Sequence, residues 1–211
     1  MVVYVEIEEI INGIKKVLDE ADSAREEALK ITREIVRFSG DAIKAIHRNE
    51  LEVARKRIEN AQKLVSMLKE NLKPYPMIYY SGYVQNAHQE FVEATLLLAY
   101  REGRELPSPW DLGVPEADYL MGLGDFIGEL RRHFLLLLIE GKIKEAENVY
   151  QFMEKLYEEL MTLEYPKGLV NIRTKQDQAR HILERTLEDL TRAKLNRELE
   201  EKLETVIKNE R

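Results

Sequence analysis

The apolar positions along most of the chain recur every three or four residues, which is the period of an amphipathic helix. The first such segment carries isoleucine, valine or leucine at positions 7, 10, 11, 14, 17 and 18. Asp22 or Ser23 can cap a second segment, in which the period continues to about Arg48. We expect one helical rod of about 40 residues, about 60 Å long at 1.5 Å per residue, with Gly40 as its weakest point.

Further helical segments come after this rod, and short breaks that contain proline, glycine or asparagine separate most of them. The predicted bounds are 51–72, about 77–101, about 115–140, 142–163 and 169–191, with an amphipathic tail helix at 195–208. No β-hairpin signal is present. The pattern therefore predicts an all-α protein, and we expect a single domain over residues 1–211.

Two segments depart from simple amphipathicity. The run at 134–139 is apolar on every side, which indicates a helix that is buried in the core or at an oligomer interface. The loop at 102–116, rich in proline and glycine, is too short and rigid to serve as a domain linker.

Composition narrows the class of protein. Hydrophobic residues make up 44% and charged residues 34% of the chain, and cysteine is absent, which excludes disulfides and thiolate metal sites. No run approaches the roughly 18 apolar residues of a membrane span, and no signal-peptide pattern opens the chain. We expect a soluble cytoplasmic protein that does not bind membranes.

The net charge of −7 argues against nucleic-acid binding, because affinity for phosphate comes from lysine and arginine. The distribution of charge matters more than its sum, and the first helix carries a basic stripe with spacings of four, seven and four residues. The stripe consists of Arg33, Arg37, Lys44 and Arg48. It is either a phosphate-binding surface or a solvated helix face paired with acids such as Glu26 and Glu34.

Two apolar helical segments each contain a pair of acids. Glu90 and Glu93 are three residues apart, and Asp125 and Glu129 are four apart. Both spacings place the two carboxylates on one face of a helix. Buried charge is normally paired or bound to metal, so these acids need a cation or a basic partner.

Three explanations for the four acids compete. They can form ordinary ion pairs on their own surfaces. A ferritin-like di-iron site is disfavoured, because it needs Glu-x-x-His on two helices and Glu129 lies one residue too far from His133. A Mg²⁺ or Mn²⁺ phosphodiesterase site suits an all-carboxylate set, since these hard ions take carboxylate and water ligands. Arg132 and His133 would then meet the phosphate.

Residues 89–94 (QEFVEA) and 118–130 (DYLMGLGDFIGEL) resemble the translin/Trax family, and within it the Trax side. The second segment is similar to the family's Asp-Tyr-Leu-Leu-Gly…Asp…Gly-Glu-Leu block and is the more specific of the two. The opening helix at 22–48 is also similar to the family's long first helix. The resemblance extends over nearly the whole chain in order.

The resemblance implies about seven helices in an α-solenoid-like bundle that assembles into a hollow, usually octameric shell and binds RNA or single-stranded DNA inside it. On the Trax side it implies a Mg²⁺-dependent endoribonuclease, whose acids match Glu90, Glu93, Asp125 and Glu129. The loop at 102–116 is shorter than in animal Trax, and no nuclear-targeting run is present. These departures favour a prokaryotic homo-oligomer over a heteromeric assembly.

We therefore expect an endoribonuclease in which Glu93, Asp125 and Glu129 hold Mg²⁺ or Mn²⁺. Glu90 would be a further ligand or would orient the attacking water. The basic stripe, Arg132 and His133 would hold the RNA backbone. Two alternatives stay open: a non-catalytic shell that binds RNA or single-stranded DNA, and a purely structural helical oligomer.

Overall fold

The computed structural model describes the backbone of residues 2–209 and the side chains of residues 6–208. Within that part the chain forms eight helices and no strand, so the all-α prediction is confirmed. The helices are α1 Val2–His47, α2 Leu51–Asn71, α3 Pro76–Tyr79, α4 Gly82–Arg101, α5 Pro109–Leu112, α6 Glu116–Ile139, α7 Ile143–Met161 and α8 Ile172–Asn209.

Helix α1 is the predicted rod, and Gly40 does not interrupt its 46 residues. The cap predicted at Asp22 or Ser23 is wrong, because the helix is continuous there and the Ser23 hydroxyl donates to the carbonyl of Asp19. From Ala28 onward its apolar side is buried against α2 and α4, with Ile35 and Ile46 completely covered. The same side of α1 is 44–63% exposed at the apolar positions from Ile7 to Leu18. Helix α2 has only 21 residues and is less than half as long as α1, which leaves this apolar segment uncovered by α2.

Three predicted boundaries are wrong. The helix expected at 77–101 is divided, because Ser81 adopts an extended backbone at the N-cap position of α4, where its side chain makes no capping hydrogen bond. The loop at 102–116 contains the one-turn helix α5, held by a capping box between Ser108 and Asp111. The segments expected at 169–191 and 195–208 join into α8, since no glycine or proline stands between them to end the helix.

The chain divides into two compact units, one ending at Tyr119 and the other beginning at Leu120 inside α6. The first unit is built on α1, α2 and α4, which pack against one another. In the second unit α7 packs on α8. The rings of Phe126 and Phe152 pack edge to face, with their centroids 6.4 Å apart. The single domain over 1–211 stays a prediction.

The apolar run at 134–139 is only partly buried within the chain. Phe134 and Leu137 belong to the core, whereas Ile139 is 81% exposed. The first of the two predicted environments, in which the run is buried on every side within the core, is therefore wrong for the single chain. No helix in the described part of the chain is both long and apolar enough to cross a membrane.

A half-buried acid joins the end of α4 to α2. The Glu102 side chain is 9% exposed, and its two carboxylate oxygens accept hydrogen bonds from Arg55 and Arg104. Burial acts to raise the pKa of Glu102, but the hydrogen bonds from the two guanidinium groups outweigh it and lower the pKa below its ordinary value of 4.5.

Replacing Glu102 with Gln should destabilise the protein by about 1–2 kcal/mol at pH 7, because charge-assisted hydrogen bonds are lost. The pKa is lower in the folded than in the unfolded chain, so this contribution is complete above about pH 4.5 and disappears as the pH falls through the lowered value. Urea unfolding at pH 7 and pH 3.5 measures it. An equal deficit of Glu102→Gln at both pH values would contradict the prediction.

Candidate functional site

The first acid pair lies at the border between core and solvent on α4. Glu90 and Glu93 are both half-buried, and the two residues between them, Phe91 and Val92, are completely buried. Since α4 is continuous through this segment, the two acids share one side of the helix, as their spacing predicts.

The second acid pair lies on α6. The Asp125 side chain is 33% exposed and forms an ion pair with the ammonium group of Lys175, which lies on α8 and is 12% exposed. The Glu129 side chain is 21% exposed, and its Oε2 lies 3.9 Å from Nη1 of Arg132. The ion-pair explanation therefore applies to Asp125.

Gly124 allows Lys175 to reach Asp125. A Cβ at Gly124 would lie 2.7 Å from Cβ and 2.8 Å from Cγ of Lys175, which is closer than real Cβ contacts permit. The aliphatic stem of Lys175 thus crosses α6 where α6 has no side chain. By contrast, a Cβ at Gly128 would meet nothing within 4 Å.

His88 and Asp118 have a structural role between α4 and the start of α6. Nδ1 of His88 lies 2.7 Å from Oδ2 of Asp118, and both side chains are buried. Through this contact, Asp118, the first residue of the 118–130 segment, joins the start of α6 to α4. His88 projects into the core and not towards Glu90's side of the helix, as its position in the sequence indicates.

The acids fit some metal sites and not others. Among the side chains that the structure describes, no group of three or more His, Asp or Glu is arranged to hold a metal ion. This argues against a site built wholly from protein ligands, such as zinc requires. Mg²⁺ commonly keeps several waters and is held by one or two carboxylates together with substrate phosphates. Asp125 and Glu129, two half-buried carboxylates on one side of α6, fit that mode.

The basic stripe is exposed along its length. Arg33, Arg37 and Lys44 lie on α1 within an arc of about 40° at 100° per residue, whereas Arg48 follows the end of the helix. Three of its four members have acidic partners. Arg37 pairs with Glu34, Lys44 lies 3.5 Å from Asp41, and Arg48 binds both carboxylate oxygens of Glu50. Arg33 forms no ion pair with another described residue. Much of the positive charge is thus balanced locally.

Arg132 and His133 lie on α6 in the turn after Glu129. The Arg132 side chain is 55% exposed and can turn towards a ligand or towards Glu129. His133 is half-buried. Their role towards phosphate stays a prediction.

Local contacts do not identify the family of the protein, whereas comparison with known proteins does. The model of the translin family matches residues 12–191. The chain belongs to the translin family. The resemblance carried by residues 89–94 and 118–130 is therefore confirmed at the level of the family, and the Trax side stays a prediction.

Relatives of this translin-family protein include the uncharacterised protein MJ0175 of Methanocaldococcus jannaschii, which is 37% identical over 93% of this chain and 88% of its own length. Among solved structures, the AfC3PO–duplex RNA complex is similar with 39% identity and a TM-score of 0.82 over 89% of this chain and 97% of the other. The apo-NeC3PO crystal structure is similar with 28% identity and a TM-score of 0.79 over 87% and 96%. These similarities confirm the translin-like all-α fold.

Reasoning from the sequence missed the α8 residues that face α6. Lys175 neutralises Asp125, and Arg131 of α6 donates to Oγ1 of Thr186 and Oδ2 of Asp189, both at 2.8 Å. The sequence contains one signal that another element approaches α6 closely. Two glycines one turn apart inside a helix, here Gly124 and Gly128, are costly unless another element approaches closely or space is needed.

The two glycines give a matched pair of substitutions on one helix. Gly124→Ala should destabilise the protein by about 1–2 kcal/mol, because the displaced stem of Lys175 outweighs the better helix propensity of alanine. Gly128→Ala should stabilise it by up to about 1 kcal/mol, since its Cβ meets nothing. Urea unfolding distinguishes the two, and the same sign of change in both variants would contradict the contact between Gly124 and Lys175.

Proposed function

We propose that this protein is a metal-dependent endoribonuclease that binds RNA and hydrolyses its phosphodiester bonds. RNA binding is supported by membership of the translin family and by the close similarity to a C3PO protein whose solved structure is a complex with duplex RNA. Catalysis is supported by one observation above all: Asp125 and Glu129 are two half-buried carboxylates on one side of a single helix.

In this proposal Asp125 and Glu129 hold Mg²⁺ or Mn²⁺ together with waters and the substrate phosphate. The roles expected of Glu93 as a third ligand, and of Glu90 as a further ligand or as the group that orients the attacking water, stay predictions from the sequence. The bound ion would supply a water of lowered pKa and positive charge at the phosphate oxygens. Lys175, which pairs with Asp125, would compete with the metal for that carboxylate. Glu129, at 3.9 Å from Arg132, would place that guanidinium beside the phosphate.

The net charge of −7 requires basic side chains to be gathered where RNA binds. We assign this role to the α1 stripe, Arg132 and His133. The acidic partners of Arg37, Lys44 and Arg48 are exposed, so these ion pairs are weak and can open towards phosphate. Single-stranded DNA would meet the same surface, since backbone phosphate is common to both ligands.

We further propose a homo-oligomer, with an octameric shell as the form that the family resemblance implies. It is supported by apolar side chains that a single chain leaves exposed, which commonly mark protein interfaces. They lie on the first turns of α1, from Ile7 to Leu18, and on the last turns of α8, where Leu195, Leu199 and Leu203 are 53–60% exposed.

The second candidate function is a non-catalytic RNA-binding protein. It is favoured by the absence, among the described side chains, of any group of three or more His, Asp or Glu arranged to hold a metal. Such a protein would bind RNA with a steep dependence on salt and yield no products with any divalent ion.

Glu129→Ala separates the two functions. We expect it to reduce cleavage of end-labelled RNA in Mg²⁺ by at least about 100-fold, because a metal ligand is lost. The mass of the assembly by light scattering should not change, since Glu129 lies at the edge of the core. Glu188→Ala is the control, because it removes an exposed acid from α8 in the same unit.

Unchanged cleavage by homogeneous Glu129→Ala protein would contradict the assignment of the site. Equal losses in Glu129→Ala and Glu188→Ala would indicate a general effect of charge and would contradict it as well.

A further inference from the structure

A cavity of about 420 Å³ opens in the second unit between α6 and α8. Gly124, Asp125, Gly128 and Arg131 line it from α6. Since a Cβ at Gly128 would meet nothing within 4 Å, the missing side chain widens the cavity at that turn. The cavity thus reaches the carboxylate of Asp125, one of the acids assigned to cleavage.

The α8 side of this cavity carries hydrogen-bond donors. Gln178, His181 and Arg185 face it from successive turns of the helix. All three side chains are exposed. Each can donate N–H groups, and arginine presents them in a planar fork that matches the oxygens of a phosphate.

The charges that line the cavity are not equally available to a ligand. Asp125 is paired with Lys175, and the guanidinium of Arg131 is occupied by Thr186 and Asp189. His181 has a distant partner, with Nδ1 3.5 Å from Oε2 of Glu184. Arg185 forms no hydrogen bond or ion pair with another residue that the structure describes. The uncompensated charge at the cavity is therefore positive and belongs to Arg185.

We propose that this cavity binds a backbone phosphate of RNA, with Arg185 as the charged contact and Gln178 and His181 as neighbouring donors. The proposal deepens the ribonuclease function and rests on it. A phosphate held here lies against the cavity wall that Asp125 contributes, so Arg185 orients the strand beside the acids on α6. Arg185 is in this sense a positioning residue of α8, a helix to which the amino-acid pattern assigned no part in binding.

The test is RNA binding without cleavage, measured by fluorescence anisotropy of a labelled RNA in EDTA over a series of salt concentrations. Arg185→Ala should weaken binding about tenfold and reduce the slope of log affinity against log salt by about one, as loss of one phosphate contact requires. Arg185→Lys should restore the slope and only part of the affinity, because lysine keeps the charge but not the planar fork.

Arg192→Ala is the matched control. Arg192 lies two turns further along the same face of α8, is exposed, and does not line the cavity. It should retain the affinity and slope of the unaltered protein. Equal behaviour of Arg185→Ala and Arg192→Ala, whether both are weakened or both unchanged, overturns the assignment of the cavity.

Measuring in EDTA separates this proposal from the cleavage mechanism. A protein that binds RNA, loses affinity in Arg185→Ala and never cleaves RNA would refute the ribonuclease and leave the phosphate site standing. If the unaltered protein cleaves RNA and the Arg185→Ala variant binds RNA with unchanged affinity, the phosphate site is refuted and the ribonuclease stands. Absence of RNA binding by the unaltered protein at low salt refutes both.

Discussion

The ion pair between Asp125 and Lys175 is the interaction on which the second unit's chemistry depends. A carboxylate on a helix whose neighbouring positions pack into the core needs a cation, and Lys175 supplies it from α8. The contact is possible because Gly124 leaves room for the lysine stem to cross α6. The absence of a side chain at Gly124 thus allows Lys175 of α8 to reach Asp125 of α6.

The local ion pairs on α1 are compatible with RNA binding by a protein of negative net charge. Most of the acids near the α1 stripe are held by its own bases through exposed and therefore weak ion pairs. These bases are available to phosphate at little cost. Arg185 is different, because no described acid compensates it, and it lies in a cavity that Asp125 also lines. The total charge of −7 is thus a poor guide to where an anion can bind.

Periodicity predicted the helices well where the apolar face is long. Helix α1 follows its three-to-four-residue pattern through all 46 residues, and α2 begins and ends within one residue of the prediction. The break at Ser81 and the join at 191–195 were missed, because both depend on one or two local residues and not on the apolar pattern. The side-by-side placement of each acid pair followed from helix geometry alone.

Contacts between helices could not be predicted in this way. The packing of α6 beside α8 determines the contacts of Lys175, Arg131 and Arg185. The sequence of either helix alone does not show which of its turns face the other helix. The family assignment came from the specific pattern of residues 118–130, and the family model confirmed it. The pattern alone could not show that Asp118 is the buried partner of His88.

Hydrolysis of RNA with a bound divalent ion is the activity on which these proposals converge. A direct test incubates the unaltered, homogeneous protein with end-labelled RNA in Mg²⁺, in Mn²⁺ and in EDTA, and follows the products on a denaturing gel. We expect internal cleavage products with either ion and intact RNA in EDTA. Intact RNA under all three conditions, with the RNA shown to be bound, would contradict the proposed activity.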